Sequence, residues 1–169
     1  MAIHEISGLV SATGHDGAAD ADRLKIYMSA IYQVRLPGGR RMNLIPGNVL
    51  PVALRNLCAG DDTPCALITA WNPHSRRTSN YSNRLAMRSL CQQLYQLGPQ
   101  YCLPAISRAV EGDWREVQLF AVGVAIHELD RLAHNFGQDA ILFGTPARVL
   151  TLRQYGKTPA MGQNESTDP

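Results

Sequence analysis

Long apolar runs are missing from this 169-residue sequence, and lysine is scarce. The longest apolar run covers only the eight residues from Leu119 to Ile126, whereas a membrane-spanning helix needs about 20. Glu5 and Asp16 lie where a secretory signal would be basic and then uncharged. We therefore expect a cytoplasmic protein without a membrane partner.

Metal-binding and nucleotide-binding motifs are also missing. The four cysteines form no Cys-x-x-Cys pair, and no histidine follows them at zinc-knuckle spacing. The sequence contains no Gly-x-Gly-x-x-Gly and no Gly-x-Ser-x-Gly motif. We expect neither a metal nor a cofactor. We interpret the cysteines as reduced, mostly buried thiols: Cys58, Cys65, Cys91 and Cys102.

Two histidines on one predicted helix are the remaining candidates for metal ligands. His127 and His134 are seven residues apart, so they share a helix face. The apolar residues of that helix fall on the opposite face. We therefore expect both histidines to face solvent. His74 is adjacent to Ser75, and neighbouring residues seldom form a nucleophile–base pair, so hydrolase chemistry is disfavoured.

The composition is that of one soluble domain, with 45% apolar and 18% charged residues. We expect a flexible N-terminal segment (1–22), one globular domain (23–156) and a disordered tail (157–169). Strand and helix patterns alternate in the order β-β-α-β-α-β-β-α-β-β. This order predicts an α+β or α/β protein with a single mixed β-sheet and three main helices packed on it.

The predicted elements follow from apolar periodicity and turn residues. A helix capped by Asn48 is expected to end at Gly60. Two other amphipathic helices are predicted, from Leu85 to Leu97 and from Ile126 to Phe136. The predicted strands are Ile26 to Leu36, Arg40 to Ile45, Ala66 to Trp71, Tyr101 to Ala109, Val117 to Val124, Ala140 to Phe143 and Val149 to Leu152.

Acidic residues are absent between Thr63 and Val110, a stretch that carries five arginines. Several of these arginines follow a predicted central strand and precede a helix. In α/β sheets that position binds ligands, and a helix N-terminus favours anions. The segment therefore predicts a site for an anionic ligand, although the same residues also suit ordinary turns and caps. The candidate ligand-binding residues are Trp71, Asn72, Ser75, Arg76, Arg77 and Asn83.

Three short motifs form a combined pattern in the sequence. They are Thr69-Ala70-Trp71-Asn72-Pro73 with Ser75 and Asn83, then Trp114-x-Glu116, and then Phe136-Gly137-Gln138-x-Ala140. The pattern resembles that of an uncharacterised bacterial family, classed as a domain of unknown function, over about residues 27–152. The resemblance implies that these positions matter and supplies no reaction. Asp139 departs from the asparagine that the family often shows.

Glu116 and Gln138 are further candidates, because each lies beside a predicted strand end. If those ends meet, Glu116 becomes the candidate general base or a carboxylate beside a metal. The alternative is an ordinary strand-edge acid paired with Arg115 or another arginine. Gln138 would help to bind the ligand. Strand order decides between these possibilities.

Three hypotheses of function remain open. The first is a basic pocket for an anionic small molecule, a nucleotide or a phosphorylated metabolite. The second is an accessory protein-binding or RNA-binding module that uses Arg76 and Arg77, with nucleic acid disfavoured by a pI of about 8.4. The third is a structural role in which these arginines contact a protein partner or a second copy of the chain.

Overall fold

A computed structural model of the chain describes residues 16–155, with side chains from residue 22 onward. Within this range, seven strands form one sheet, and four helices accompany it. In chain order the elements are α1 (Asp16–Ser29), β1 (Ile31–Arg35), β2 (Arg41–Leu44), α2 (Val52–Arg55), β3 (Cys65–Ile68), a 3₁₀ turn (Pro73–Ser75), α3 (Asn80–Gln96), β4 (Tyr101–Arg108), β5 (Arg115–Val122), α4 (Ile126–Asn135), β6 (Ala140–Thr145) and β7 (Arg148–Gln154).

The sheet order is β2-β1-β4-β5-β3-β6-β7, and each of the six neighbouring pairs is antiparallel. The α+β class and the single sheet are therefore confirmed. The expectation of a mixed sheet is wrong, because β3 enters the sheet opposite in direction to both β5 and β6. The predicted succession from β1 to β7 matches the structure.

Two local predictions are wrong. The strand expected from Ile26 is helical up to Ser29, and only Ile31–Arg35 is extended. The helix expected from Asn48 to Gly60 shrinks to the four residues of α2, which Pro51 precedes. Asn48 does not cap it, because the Asn48 carbonyl instead accepts a hydrogen bond from Leu150 N at 2.8 Å.

The sheet is curled, and its two faces cover separate apolar cores. The inner core includes Phe120 and Leu142, and α2 adds Leu54 to it. The outer core lies beneath α3 and α4. The loop after β2 reaches the far edge strand, since Gly47 N donates to Leu150 O at 2.7 Å. The strands of the curled sheet do not cover one end of the inner core, and helix α1 and the turn after β3 lie there.

Several sequence predictions concern side-chain exposure. His127 and His134 are exposed, as expected. Cys65 is buried, and the other three cysteines are half-buried. None of the helices between residues 16 and 155 is long and apolar enough to cross a bilayer. Among the side chains that the structure describes, those of residues 22–155, no cluster of three or more potential metal ligands occurs. Residues 1–15 and 156–169, which hold most of the predicted flexible segment and the whole predicted tail, lie outside the described residues.

Candidate functional site

A cavity of about 210 Å³ lies at the end of the inner core. The antiparallel register creates it, because Ile68 pairs with Leu119 and Leu67 pairs with Leu142. The chain leaving β3 therefore passes the residues that enter β5 and β6. Helix α1 and strand β1 complete the lining from the other side. The three motif segments meet at one rim of the sheet.

Glu116 is half-buried and is one of the two acids that line this cavity, the other being Asp139. Its Oε1 accepts a hydrogen bond from Asn72 Nδ2 at 3.1 Å. Burial raises the pKa of Glu116 from 4.5 to about 7, hydrogen bonds from Asn72 and the Trp114 side chain oppose this rise, and the charge of Asp139 adds to it. Among the described residues Glu116 makes no ion pair, so it is not the arginine-paired acid of the alternative interpretation.

Asn72 is held in place by a network of amide groups. Its backbone N–H donates to Asn83 Oδ1 at 2.9 Å, and Asn83 Nδ2 donates back to Asn72 Oδ1 at 3.1 Å. Thr78 N also donates to Asn72 Oδ1, at 3.1 Å. Because Asn72 Oδ1 is occupied by two donors, its Nδ2 is the group left to face Glu116. Asn83 therefore acts on the cavity through Asn72, from inside the protein.

A second polar chain links α1 to the opposite wall. Ser75 Oγ donates to Asp139 Oδ2 at 2.7 Å, which uses the only hydroxyl proton of Ser75. Tyr27 OH therefore donates to Ser75 Oγ, at 2.7 Å. Arg23 Nη1 forms an ion pair with Asp139 Oδ2 at 2.9 Å. Burial raises the pKa of Tyr27, so this hydroxyl remains protonated at neutral pH.

The interior of the cavity contains one further polar pair. Gln118 follows Glu116 on the same face of β5, and its Nε2 donates to Ser107 Oγ at 2.6 Å. Both residues are 6% exposed. The apolar part of the wall includes Leu67, Leu142 and Leu152.

The candidate residues from the sequence divide between two concavities. Asn72, Ser75, Glu116 and Gln138 line the cavity. A second depression of about 200 Å³, which we call the outer hollow, lies on the other side of Asn72. It is lined by Trp71, Asn72, Arg77, Thr78, Asn80, Asn83, Asp113, Trp114 and Arg115. Asn72 thus lines both the cavity and the outer hollow, whereas Asn83 lines the outer hollow alone.

The two candidate arginines lie outside the cavity. Arg76 is exposed. Arg77 pairs with Asp113 and stacks over the Trp114 ring at 5.1 Å. Gln138 Nε2 donates to Phe136 O at 3.1 Å and to Trp71 O at 3.4 Å, so its amide joins the loop after α4 to the end of β3. Gln138 therefore helps to shape the rim.

Sequence reasoning missed several lining residues, notably Tyr27, Arg23, Ser107 and Gln118. Asp139 was noted only as a departure from the resemblance. The Trp114-x-Glu116-x-Gln118 alternation was the available signal, since residues two apart on a strand share a face. No pattern in the sequence indicated Tyr27, because its segment was predicted as a strand and is in fact the end of helix α1.

The fold and the cavity define a small α+β protein with an acid-bearing internal cavity. Residues 68–141 match the model of a family described as "Protein of unknown function (DUF3293)", which agrees with the resemblance to an uncharacterised family. The match covers less than half of the chain and includes Asn72, Ser75, Glu116 and Asp139, whereas α1 and β1 lie outside it. No curated protein and no solved structure matches the chain.

Proposed function

We propose that the chain binds a small metabolite in the cavity and that Glu116 transfers a proton to or from it. The observation that carries the proposal is a half-buried carboxyl group that lines a cavity, with its pKa raised to about 7. A general acid–base is most effective when its pKa lies near the working pH. Structural ion pairs, the usual alternative for such an acid, are absent at Glu116 among the described residues.

The second carboxylate supports the same proposal. Asp139 is ion-paired with Arg23 and accepts a hydrogen bond from Ser75, whereas Glu116 has only neutral donors. Different environments of this kind separate the roles of two carboxyl groups in one site. Glu116 is the group that exchanges a proton, and Asp139 is the group that holds Arg23 and Ser75 in place.

The volume limits the ligand. At about 30 Å³ per water molecule, about 210 Å³ holds roughly seven waters. Pockets for drug-sized ligands measure about 300–1,000 Å³. A compact metabolite fits inside, and a dinucleotide does not.

The outer hollow and the arginines beside it support a second candidate function. The predicted anionic ligand, a nucleotide or a phosphorylated metabolite, would contact Arg77 and Trp71 there. A protein or RNA partner, or a second copy of the chain, would instead contact Arg76 and Arg77 from solvent. The observation that favours a surface role is that both guanidinium groups are exposed and outside the cavity.

Binding screens of matched variants test the proposal. Wild type, Glu116→Gln and the double variant Arg76→Ala/Arg77→Ala would be screened by ligand-observed NMR against small metabolites of both charges, nucleotides and short RNA. We expect hits that Glu116→Gln weakens and the arginine variant leaves unchanged. Hits lost only in the arginine variant would favour the second candidate. A carbon-13 titration should find the Glu116 carboxyl near pH 7, and a midpoint near 4.5 would refute the acid–base role.

A further inference from the structure

The charges inside the cavity do not favour an anion. Arg23 and Asp139 form an ion pair at 2.9 Å, so their charges cancel. Arg108 reaches only the rim: its side chain is exposed, and its strand neighbour Ser107 points inward. Neighbouring residues on a strand face opposite sides of the sheet. Glu116 and Arg108 are therefore the charged lining residues that form no ion pair among the described residues, and Glu116 is the one on the inward face of its strand.

One hydrogen-bond acceptor inside the cavity, the side-chain carbonyl of Gln118, has no donor among the described residues. Gln118 is 6% exposed and lines the cavity. Its Nε2 donates to Ser107, and among residues 16–155 its carbonyl oxygen has no hydrogen-bond partner. This oxygen is accessible from the cavity, since it is not among the fully buried side-chain atoms that lack a partner in the described residues, so a bound ligand can donate a hydrogen bond to it. Glu116 lies two residues away on the same strand face, at a spacing of about 7 Å along the strand.

We propose that the ligand of the cavity is a small amine whose ammonium group lies against Glu116 and Gln118, with its apolar remainder against Leu67, Leu142 and Leu152. The inference rests on the proposed function of the cavity and adds the chemical class of its ligand. An ammonium group offers several N–H donors and one positive charge. It thus satisfies both acceptors and favours the ionised form of Glu116.

Proton linkage gives this inference a measurable sign. A cation binds more tightly to the ionised carboxylate, so amine affinity rises as pH rises through the pKa of Glu116, about 7. An anion would show the opposite trend. The charge of Asp139 acts on Glu116. The other charged or titratable groups around these two acids are Arg23 and Tyr27 from α1, Tyr32 from β1, His74 from the 3₁₀ turn and, at the rim, Arg108 from β4. Burial raises the pKa of both tyrosines, so they stay neutral over this range.

Benzylamine and benzoate are suitable probes, because they carry opposite charges on the same apolar ring. Their affinities for the full chain would be measured by NMR titration at pH 6 and pH 8. We expect benzylamine to bind about tenfold more tightly at pH 8, since the ionised fraction of a group with a pKa near 7 rises about tenfold over that interval. Benzoate should bind weakly at both values.

Three variants separate the parts of the inference. Glu116→Gln should abolish the pH dependence of benzylamine binding. Gln118→Leu should weaken binding several-fold and keep the pH dependence. Gln92→Leu, on the exposed face of α3, is the matched control and should change neither.

Benzoate or a phosphate monoester binding in the cavity while benzylamine does not would overturn the amine inference and leave the proposed cavity function standing. Benzylamine affinity that falls from pH 6 to pH 8 would also overturn it. If no compound of any charge perturbs the resonances of Glu116 or Gln118 at millimolar concentration, the proposed function and the inference both fail.

Discussion

Left-handed backbone at non-glycine residues is concentrated in the turn after β3. Asn72, His74 and Ser75 have φ values of 49°, 54° and 55°. Each such residue costs of order 1 kcal/mol or more and persists only where its surroundings fix it. Here the conformation aims Asn72 Nδ2 at Glu116 and Ser75 Oγ at Asp139. The strain lies in the segment that supplies the polar wall of the cavity.

Gly137 allows that turn to pack closely against the end of α4. A Cβ at this position would lie 2.9 Å from His74 Nε2, and the φ of Gly137 is +60°. The backbone joins the two segments as well, because His74 N donates to Gly137 O at 2.7 Å. Gly137 therefore permits the close approach of the Asn72 turn to the loop that carries Asp139, and its positive φ disfavours any other residue there.

At this scale the sequence predicted the motif residues and not their partners. Asn72, Ser75, Glu116 and Gln138 were candidates because polar residues at strand ends are informative by themselves. Their contacts depend on pairing between distant segments. Gln118 and Ser107, for example, become neighbours only through the β4–β5 ladder, in which Ser107 lies opposite Glu116.

Thr145 is the residue to which we assign a stability prediction. Its hydroxyl is buried and has no hydrogen-bond partner among the described residues. Replacement by valine keeps the shape and removes the unsatisfied group, so Thr145→Val should raise the free energy of unfolding by about 1 kcal/mol. Urea denaturation measures this directly. Thr151→Val, at an exposed position in β7, serves as a control that should change stability little, and a destabilised Thr145→Val would contradict the argument.

At the scale of elements, the succession of the seven strands was predictable from the sequence. Helix α1 and the short length of helix α2 were not. Helix α3 and the β4–β5 hairpin carry strong periodicity and clear turns, such as Gly112 with φ +83°. Helix α1 contains Asp, Gly and Ala in its first turns, which gave no helical pattern. Its position follows from tertiary contacts with the cavity, and local sequence does not encode them.

The attachment of α1 is the prediction at this scale. Arg23 contacts Asp139, Tyr27 contacts Ser75, and Tyr32 OH donates to the Tyr27 carbonyl. Asp139→Asn removes the charge from the ion pair while keeping an acceptor for Ser75. Hydrogen bonds to charged groups contribute about 1.5–3 kcal/mol, so we expect amide exchange in residues 22–29 to be at least about tenfold faster.

Lys25→Ala is the control for this measurement, because the one ion pair of Lys25 within the described part of the chain is with exposed Asp22 on the same helix. It should leave the exchange rates nearly unchanged, since exposed pairs contribute little. Equal acceleration in both variants would mean that the Arg23–Asp139 contact does not hold α1.

For the whole molecule, the antiparallel topology determines where the cavity lies. Carboxyl ends of parallel strands meet at one edge, which was the basis for expecting a site after β3. In the antiparallel sheet the end of β3 instead meets the starts of β5 and β6. The predicted location was useful although the predicted sheet type was wrong, because the Asn72 turn, Glu116 and Asp139 still meet there.

The stability of the whole molecule should therefore depend on pH through Glu116. Its pKa is about 7 in the folded chain against an ordinary value of 4.5. Between these values the folded state binds more protons than the unfolded state, so stability falls as pH rises from 4.5 to 7 and levels off above that. The difference corresponds to ~3 kcal/mol at about 1.4 kcal/mol per unit of pKa.

Subtraction of a matched variant isolates this contribution from those of the other ionisable groups. The free energy of unfolding of wild type and Glu116→Gln would be measured by urea denaturation from pH 4 to pH 8. We expect the variant to gain stability relative to wild type as pH rises, reaching its full advantage near pH 8. Glu111→Gln changes the same charge in an exposed turn and should follow wild type. If Glu116→Gln also follows wild type, the carboxyl group ionises in the folded protein as freely as in water, and the cavity has no group suited to proton transfer near neutral pH.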